Sequence, residues 1–203
     1  GPSIGSMPIV DPDRAVDLLF QYLPEAPFWP QLPQRDFHEH MDVQYSESLP
    51  GLTIDETKKK VSFNTTGDLT GALEKFFDRY LAKDYGFFRI TEQYAAGFYA
   101  FLRTLKKGGP LAKARYLKGH ITGPLTLGTS FKDETGKDII HNEMIFDALV
   151  TGLAMKALWQ IQELNGHVEA VRARVEQSEI RQTQALRELL LERSRLGADP
   201  EPL

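Results

Sequence analysis

The chain contains no cysteine. Disulfides, thiolate metal ligands and a cysteine nucleophile are thereby excluded, and with them a small secreted domain stapled by disulfides. No G-x-G-x-x-G or G-x-x-x-x-G-K-[ST] follows an apolar run, so the fingerprints of dinucleotide and P-loop binding are missing. There is no basic excess either. Lys and Arg total 24 against 28 Asp and Glu, a formal net charge of -4, and no overall positive field draws nucleic acid or an anionic membrane. No charged segment followed by an apolar stretch opens the sequence, so no signal peptide is read. The most apolar helical stretch, Ile145 to Trp159, is interrupted by Asp147 and Lys156 and reads as too short to span a bilayer. The expectation is a soluble, cytoplasmic protein with no nucleic-acid and no membrane partner.

What the chain does hold is enough apolar material for a core: 41% hydrophobic residues, with 12 Phe, 7 Tyr and 2 Trp among its 203 positions. That composition argues against disorder. The pattern alternates between short apolar segments and helical stripes. "IGSMPI" (Ile4 to Ile9) is a first strand. "DPDRAVDLLFQYL" follows as a helix, with Asp11 as N-cap and Pro12 at the first helical position. "APFWPQLP" is a second strand, closed by Pro33. Val43 to Phe63 reads as an irregular insertion containing a hairpin, "LTID" against "KVSFN". Asp68 caps a helix whose apolar face is Leu69, Leu73, Phe76, Phe77, Tyr80 and Leu81. "GFFRIT" is a third strand. "EQYAAGFYAFLRTLKKGG" is a helix closed by Lys106, Lys107 and Gly108. "ARYLKGHIT" is the fourth strand, and Asn142 to Leu164 a long helix after a loop.

Four strand–helix units in series imply parallel strands joined by crossover helices. The strand ends are rich in small, polar or proline residues, such as Gly5-Ser6-Met7-Pro8 and His120-Thr122-Gly123-Pro124. In barrels such ends form the active-site face. The fold class expected is therefore α/β: the (β/α)4 half of a TIM barrel with an inserted hairpin, followed by a long C-terminal helix.

Several stretches together, "IGSMP", "DPDRAVDLLFQYLPEAPFWPQLPQR", "QYSESLPGL", "YAAGFYAFL", "LKGHITGPLTLG" and "AMKALWQIQEL", resemble the N-terminal half of a methionine-synthase-like methyltransferase. That group belongs to the superfamily of cobalamin-independent methionine synthase and uroporphyrinogen decarboxylase. The resemblance covers Ile4 to Leu164. It implies a TIM barrel and methyl transfer to a thiol, with tetrapyrrole decarboxylation in the other branch. It also implies that full-length relatives activate the thiol on zinc held by His and Cys from the barrel's second half. This sequence departs from the pattern: it has no cysteine, and Ile9 stands where related sequences often carry His after the G-S-x-P turn. The expectation is a methyltransferase-like barrel fragment, inactive alone and without a cofactor of its own. The alternative is a non-catalytic half-barrel scaffold or oligomerisation module.

On this reading residues 3–164 form the half-barrel and residues 165–203 a tail of different composition. All twelve lysines lie at or before Lys156, whereas the six basic residues after Leu164 are all arginine. Val168, Val171, Val175, Gln182, Leu186 and Leu189 trace a loose helical stripe, and about thirty residues make a helix of roughly 45 Å.

The candidate site residues follow from the strand ends. His120 ends the fourth strand, where an imidazole can hydrogen-bond substrate or carry a proton. Ser6, Thr122 and Gly123 share that rim, as do Trp29 and Gln31 after the second strand and Glu92 and Tyr94 after the third. These eight are expected to bind a small-molecule substrate; no catalytic residue is assigned. An aromatic beside prolines packs more often than it binds, and Glu92 also suits a helix N-terminus. "DFHEHMD" places His38 and His40 two apart between Asp36 and Asp42, a pattern that could ligate zinc. Such spacing also arises by chance in exposed loops, and no metal site is assigned. Four parallel strands cannot close a barrel, so a homo-oligomer through open sheet edges or the tail helix is expected.

Overall fold

The computed structural model describes residues 5–108, 114 and 116–165, and the backbone of 172–175. Within them the chain mixes helix and strand. The elements are α1 (Pro12–Tyr22), β1 (Leu52–Asp55), β2 (Lys60–Phe63), α2 (Leu69–Leu81), α3 (Ala96–Lys106), β3 (Tyr116–Gly119), α4 (Pro124–Ser130), β4 (Lys132–Asp133), α5 (Glu143–Asn165) and β5 (Arg172–Val175).

The helices begin where their capping chemistry dictates. The Asp11 carboxylate accepts the amides of Asp13 and Arg14 at 3.0 and 3.1 Å, and Pro12 opens α1 with no donor to satisfy. Asp68 accepts the Gly71 amide at 3.1 Å and starts α2. α3 has no cap from its own Ala95. Instead the carboxylate of Glu39, distant in sequence, accepts the Ala96 amide. α1 buries Ala15, Val16, Leu19 and Phe20, with Phe20 stacked on Phe101 of α3 at 5.5 Å.

The hairpin forms as the apolar alternation implies: β1 and β2 pair antiparallel, Leu52 opposite Phe63 and Asp55 opposite Lys60. The short strand β4 joins β2 in parallel, with Ser62 opposite Lys132. It lies between the fourth expected strand and the long helix, where only a loop was expected.

A second system runs through the middle of the molecule. Ser6 bridges Gln31, Phe28 bridges Lys118, and β3 pairs with β5 over four residues, all in parallel. Each segment is thus the neighbour of the next in chain order: the residues around Ser6, then 28–31, then β3, then β5.

Several expectations need correction. "IGSMPI" and "APFWPQLP" form only isolated bridges, at Ser6, Phe28 and Gln31, where continuous strands were expected. "GFFRIT" is not a strand. Phe87, Phe88 and Arg89 donate to the carbonyls three residues back, Asp84, Tyr85 and Gly86, so consecutive turns consume the amides a ladder would need. Phe88 and Ile90 are nevertheless completely buried. A short apolar run records burial, and burial alone does not choose between strand and turn. The tail expectation also changes where it can be compared: Arg172–Val175 is strand β5, not helix. The stripe at Val168, Val171, Gln182, Leu186 and Leu189 lies outside the described residues.

α5 matches the long helix read over Asn142 to Leu164, shifted by one residue, but the expectation that its apolar stretch is too short for a bilayer changes. At 23 residues it is long and apolar enough to cross a membrane, but most of it is buried inside the protein. Its apolar character runs around the whole cylinder because it is packed on several sides, by α2, α4 and β3 among others. Leu49 and Phe76 close over Gly152, where a Cβ would lie 2.9 Å from the Leu49 side chain.

A closer approach fixes α3 against the second parallel segment. A Cβ on Gly97 would stand 1.9 Å from the Pro30 carbonyl oxygen, well inside van der Waals contact, and a backbone neighbour cannot rotate away. Gly97→Ala must push α3 off residues 28–31, at a cost of about 1–3 kcal/mol or more by the usual scale of overpacking. Thermal denaturation should show a clear loss of Tm, accompanied by weaker near-UV signal from Trp29. An unchanged Tm would show that α3 does not seat on this carbonyl.

Candidate functional site

The parallel segments carry their polar side chains at one end. Trp29 is completely buried and stacks on His120, ring centroids 3.8 Å apart and 20° from parallel. On the other face of the imidazole lies Gly5, where a Cβ would come within 2.6 Å of His120 Cε1. Only glycine leaves room there for the ring. Gly5, Trp29 and His120 therefore form a three-layer stack contributed by three neighbouring segments.

The backbone under this stack is held firmly. The His120 carbonyl accepts the Tyr45 hydroxyl at 3.1 Å and the Gln160 amide at 3.0 Å. Gln160, from α5, in turn accepts the Trp29 indole N–H at 3.0 Å. The His120 ring is different. Both its nitrogens are shielded from solvent, and neither has a hydrogen-bond partner among the described residues. Burial, and secondarily the charge of Lys118, pushes the imidazole pKa down to about 3. The ring is neutral at physiological pH, with one nitrogen a donor and the other an acceptor. Leaving a buried polar atom unpaired costs about 1–3 kcal/mol.

A chain of side chains runs beside the stack. The Ser6 hydroxyl donates to Gln31 Oε1 at 2.8 Å. Gln31 Nε2 donates to Gln44 Oε1 at 2.8 Å, and Gln44 Nε2 to the Tyr94 carbonyl at 2.7 Å. Thr122 donates to the Met41 carbonyl at 2.9 Å, and Gly123 precedes α4, which begins at Pro124. "KGHITGPLTLG" is thus a strand, a polar strand end and a helix start in succession.

Of the eight residues expected at the site, Ser6, Trp29, Gln31 and His120 are joined by these contacts, with Thr122 and Gly123 following His120 directly. Glu92 and Tyr94 are placed differently, because the strand meant to present them is a run of turns. Glu92 is exposed and pairs with Arg103 at 2.8 Å. The buried Tyr94 side chain packs edge-on against His38 at 4.7 Å, and only its carbonyl reaches the polar chain. Its phenol is pushed up to about 12 by burial and by the carboxylates of Glu47, Glu56 and Asp36.

The Asp36–Asp42 stretch does not converge. Phe37–Glu39 is a 3-10 turn, not a strand, so His38 is buried while His40 and Asp42 are exposed. His38 Nδ1 lies 2.7 Å from Asp36 and its Nε2 3.5 Å from Glu56. Burial opposes ionisation of Asp36, but the His38 amide and ring hold its carboxyl below the usual range. Among the described residues no group of three or more His, Asp or Glu is arranged to hold a metal. With no cysteine in the chain, its residues do not fit the thiolate-ligated zinc that the family resemblance implies for full-length relatives.

Sequence reasoning missed the buried supports. Gln44, Gln160, Glu39 and Lys156 are all buried. Glu39 sits on Arg35 at 2.5 Å and on the Leu32 amide at 3.2 Å, yet burial raises its pKa. Lys156 donates to the Phe88 carbonyl at 3.3 Å. Burial drops its pKa to about 8, with Glu47 opposing the shift. The available signal was a lone polar residue inside an apolar helical run, as at Lys156 and Gln160.

No family model matches the chain, and no curated protein and no solved structure matches it.

Two pH dependences follow. The folded chain leaves His120 neutral while the unfolded chain protonates it near pH 6.5, so stability is complete above that value and falls as pH drops from 6.5 towards 3. The ceiling is about 5 kcal/mol at 1.36 kcal/mol per pH unit. Lys156 acts at the other end. Between pH 8 and 10.5 the unfolded chain binds the proton that the folded chain releases, so stability rises with pH across that window by up to about 3 kcal/mol. Chemical denaturation of the protein and of Lys156→Met should show the variant's relative advantage shrinking from pH 8 to 10.5. A constant difference would mean that Lys156 titrates as if exposed.

Proposed function

We propose that this chain is a half-barrel unit of the methionine synthase–uroporphyrinogen decarboxylase type, and that the carboxyl ends of its parallel segments bind a small thiol. The observation that carries the binding role is His120: an imidazole clamped between Gly5 and Trp29, its backbone doubly anchored, its two nitrogens shielded and without a partner among the described residues. A core histidine with only a packing role would normally find a partner for its ring N–H. Here the backbone is held by two hydrogen bonds while both ring nitrogens, closed off from solvent, have no partner among the described residues, so a ligand reaching the ring edge would supply the missing bond. Parallel pairing in chain order supports the half-barrel, and in such folds the strand carboxyl ends face the ligand. The thiol class rests on the sequence resemblance.

The role is binding rather than turnover. A thiol attacks as thiolate, and this chain offers no cysteine for the zinc site that would lower the thiol's pKa. Its neutral His120 is a poor proton acceptor, because its pKa is depressed by burial.

Titration with a two-carbon thiol such as 2-mercaptoethanol, followed on the histidine ring resonances, tests the reading. Saturable shifts should appear at His120 and not at the exposed rings of His40 and His141. Equal shifts at all three rings, or none at His120, would remove the binding role.

Self-association belongs to the same reading. Among the described residues, the segment at Ser6 and strand β5 each have a parallel neighbour on one side only, and open edges invite pairing. Sedimentation equilibrium at micromolar concentration should give a mass above the 23.0 kDa of one chain. A single species at that mass would refute the oligomer.

A further inference from the structure

The side-chain relay beside His120 has a fixed direction. It ends at the Tyr94 carbonyl, which can only accept. Gln44 must therefore turn its amide nitrogen towards Tyr94, at 2.7 Å, and its oxygen towards Gln31. That oxygen can only accept, so Gln31 must present its own nitrogen to it, at 2.8 Å, and its oxygen to Ser6. The Ser6 hydroxyl then has no choice but to donate its proton to Gln31, at 2.8 Å. Reversing any one member would set two acceptors or two donors face to face. Both glutamine side chains are almost wholly buried, where such a mismatch is costly. Ser6 itself is exposed, so the relay leads from the interior to the surface and delivers a hydroxyl oxygen with lone pairs and no free proton.

From this we propose that Ser6 is a specificity-determining residue of the strand-end site. Its Oγ is an obligate acceptor, so the site takes a ligand whose group at this position donates hydrogen bonds, a primary ammonium or a hydroxyl, and disfavours a carboxylate there. The proposal rests on the small-thiol reading and adds the second functional group of the ligand. An isolated surface serine would accept or donate as its partner required and would discriminate little. The relay removes that freedom.

Three thiols of similar length separate the possibilities: cysteamine, 2-mercaptoethanol and 3-mercaptopropionate, which end in an ammonium, a hydroxyl and a carboxylate. Each is titrated into the full chain and into Ser6→Ala, and affinity is read from the His120 ring resonances. Ser6→Ala removes an exposed hydroxyl and with it the donor to Gln31 Oε1, so its folding is checked by an unchanged Tm and an unchanged Trp29 signal. The proposal expects cysteamine and 2-mercaptoethanol to bind at least tenfold more tightly than 3-mercaptopropionate, with the ratio falling to about threefold or less in Ser6→Ala. A general attraction of cations to this acidic chain would favour cysteamine in both proteins alike. A ratio that survives the substitution therefore overturns the proposal. Comparable affinity for all three thiols in the unsubstituted chain overturns it too, while leaving the thiol-binding reading intact. If no thiol moves the His120 ring, that reading fails and the proposal falls with it.

Discussion

The backbone carbonyl of His120 is where the layers of this molecule are fastened together. It accepts Tyr45 from the long loop and Gln160 from α5, and Gln160 in turn accepts the indole of Trp29. A carbonyl has two lone pairs, and here both are used by side chains from different parts of the chain. Trp29 can only donate, so the orientation of Gln160 is forced: its oxygen faces the indole and its nitrogen faces residue 120. One backbone atom thereby fixes the second parallel segment, the long central helix and the end of β3 relative to one another. The stacking of Trp29 on His120 is a consequence of this fastening as much as a cause.

The same logic of forced direction recurs in the second relay, and it explains why so many glutamines are buried here. An amide side chain is both donor and acceptor, so a line of them transmits orientation from a fixed end to a free one. The fixed ends are groups of one kind only, the Tyr94 carbonyl in one relay and the Trp29 N–H in the other. Chain satisfaction in the interior thus carries information to the surface without any charge.

How much of this was legible beforehand depends on the kind of signal each residue leaves. Asp11-Pro12 and Asp68 announce helix starts because capping is local chemistry, and both helices begin there. The hairpin of β1 and β2 was visible because alternation and a turn lie within a dozen residues. Ser6, Trp29, Gln31 and His120 were legible as a set because each follows an apolar segment, and parallel segments bring their carboxyl ends together. "GFFRIT" misled for a physical reason. Phe88 and Ile90 look like strand residues, yet Asp84 and Gly86 supply turn acceptors that take the amides first. The error carried Glu92 and Tyr94 with it. Gln160 showed only as a polar residue in an apolar run, and Gln44 and Glu39 left no local trace, since the hydrogen-bond partners of the two glutamines lie 13 to 131 residues away and Glu39 caps a helix that starts more than fifty positions later. The "HEH" spacing failed because a 3-10 turn rotates successive side chains by about a third of a circle, whereas a strand would have aligned them.

His120 and Lys156 show two different treatments of a buried base. Lys156 keeps an acceptor, the Phe88 carbonyl, and has the carboxylate of Glu47 nearby to favour its charge. Its environment partly offsets burial, and its pKa falls only to about 8. Among the described residues the His120 ring has no hydrogen-bond partner. The charge of Lys118 adds to burial in disfavouring its protonation. An interior shaped only for stability would have placed an apolar ring between Gly5 and Trp29, where phenylalanine has the right shape and no polar atoms to strand. A glycine at position 5 and an indole at position 29 that accommodate an unpaired imidazole are a destabilising choice by about 1–3 kcal/mol for each polar atom left unsatisfied. In a domain whose total stability is only about 5–15 kcal/mol, that is a large loss to carry at one side chain. Gly5 and Trp29 cover the two faces of the ring, so any partner for its nitrogens would have to come at the ring edge.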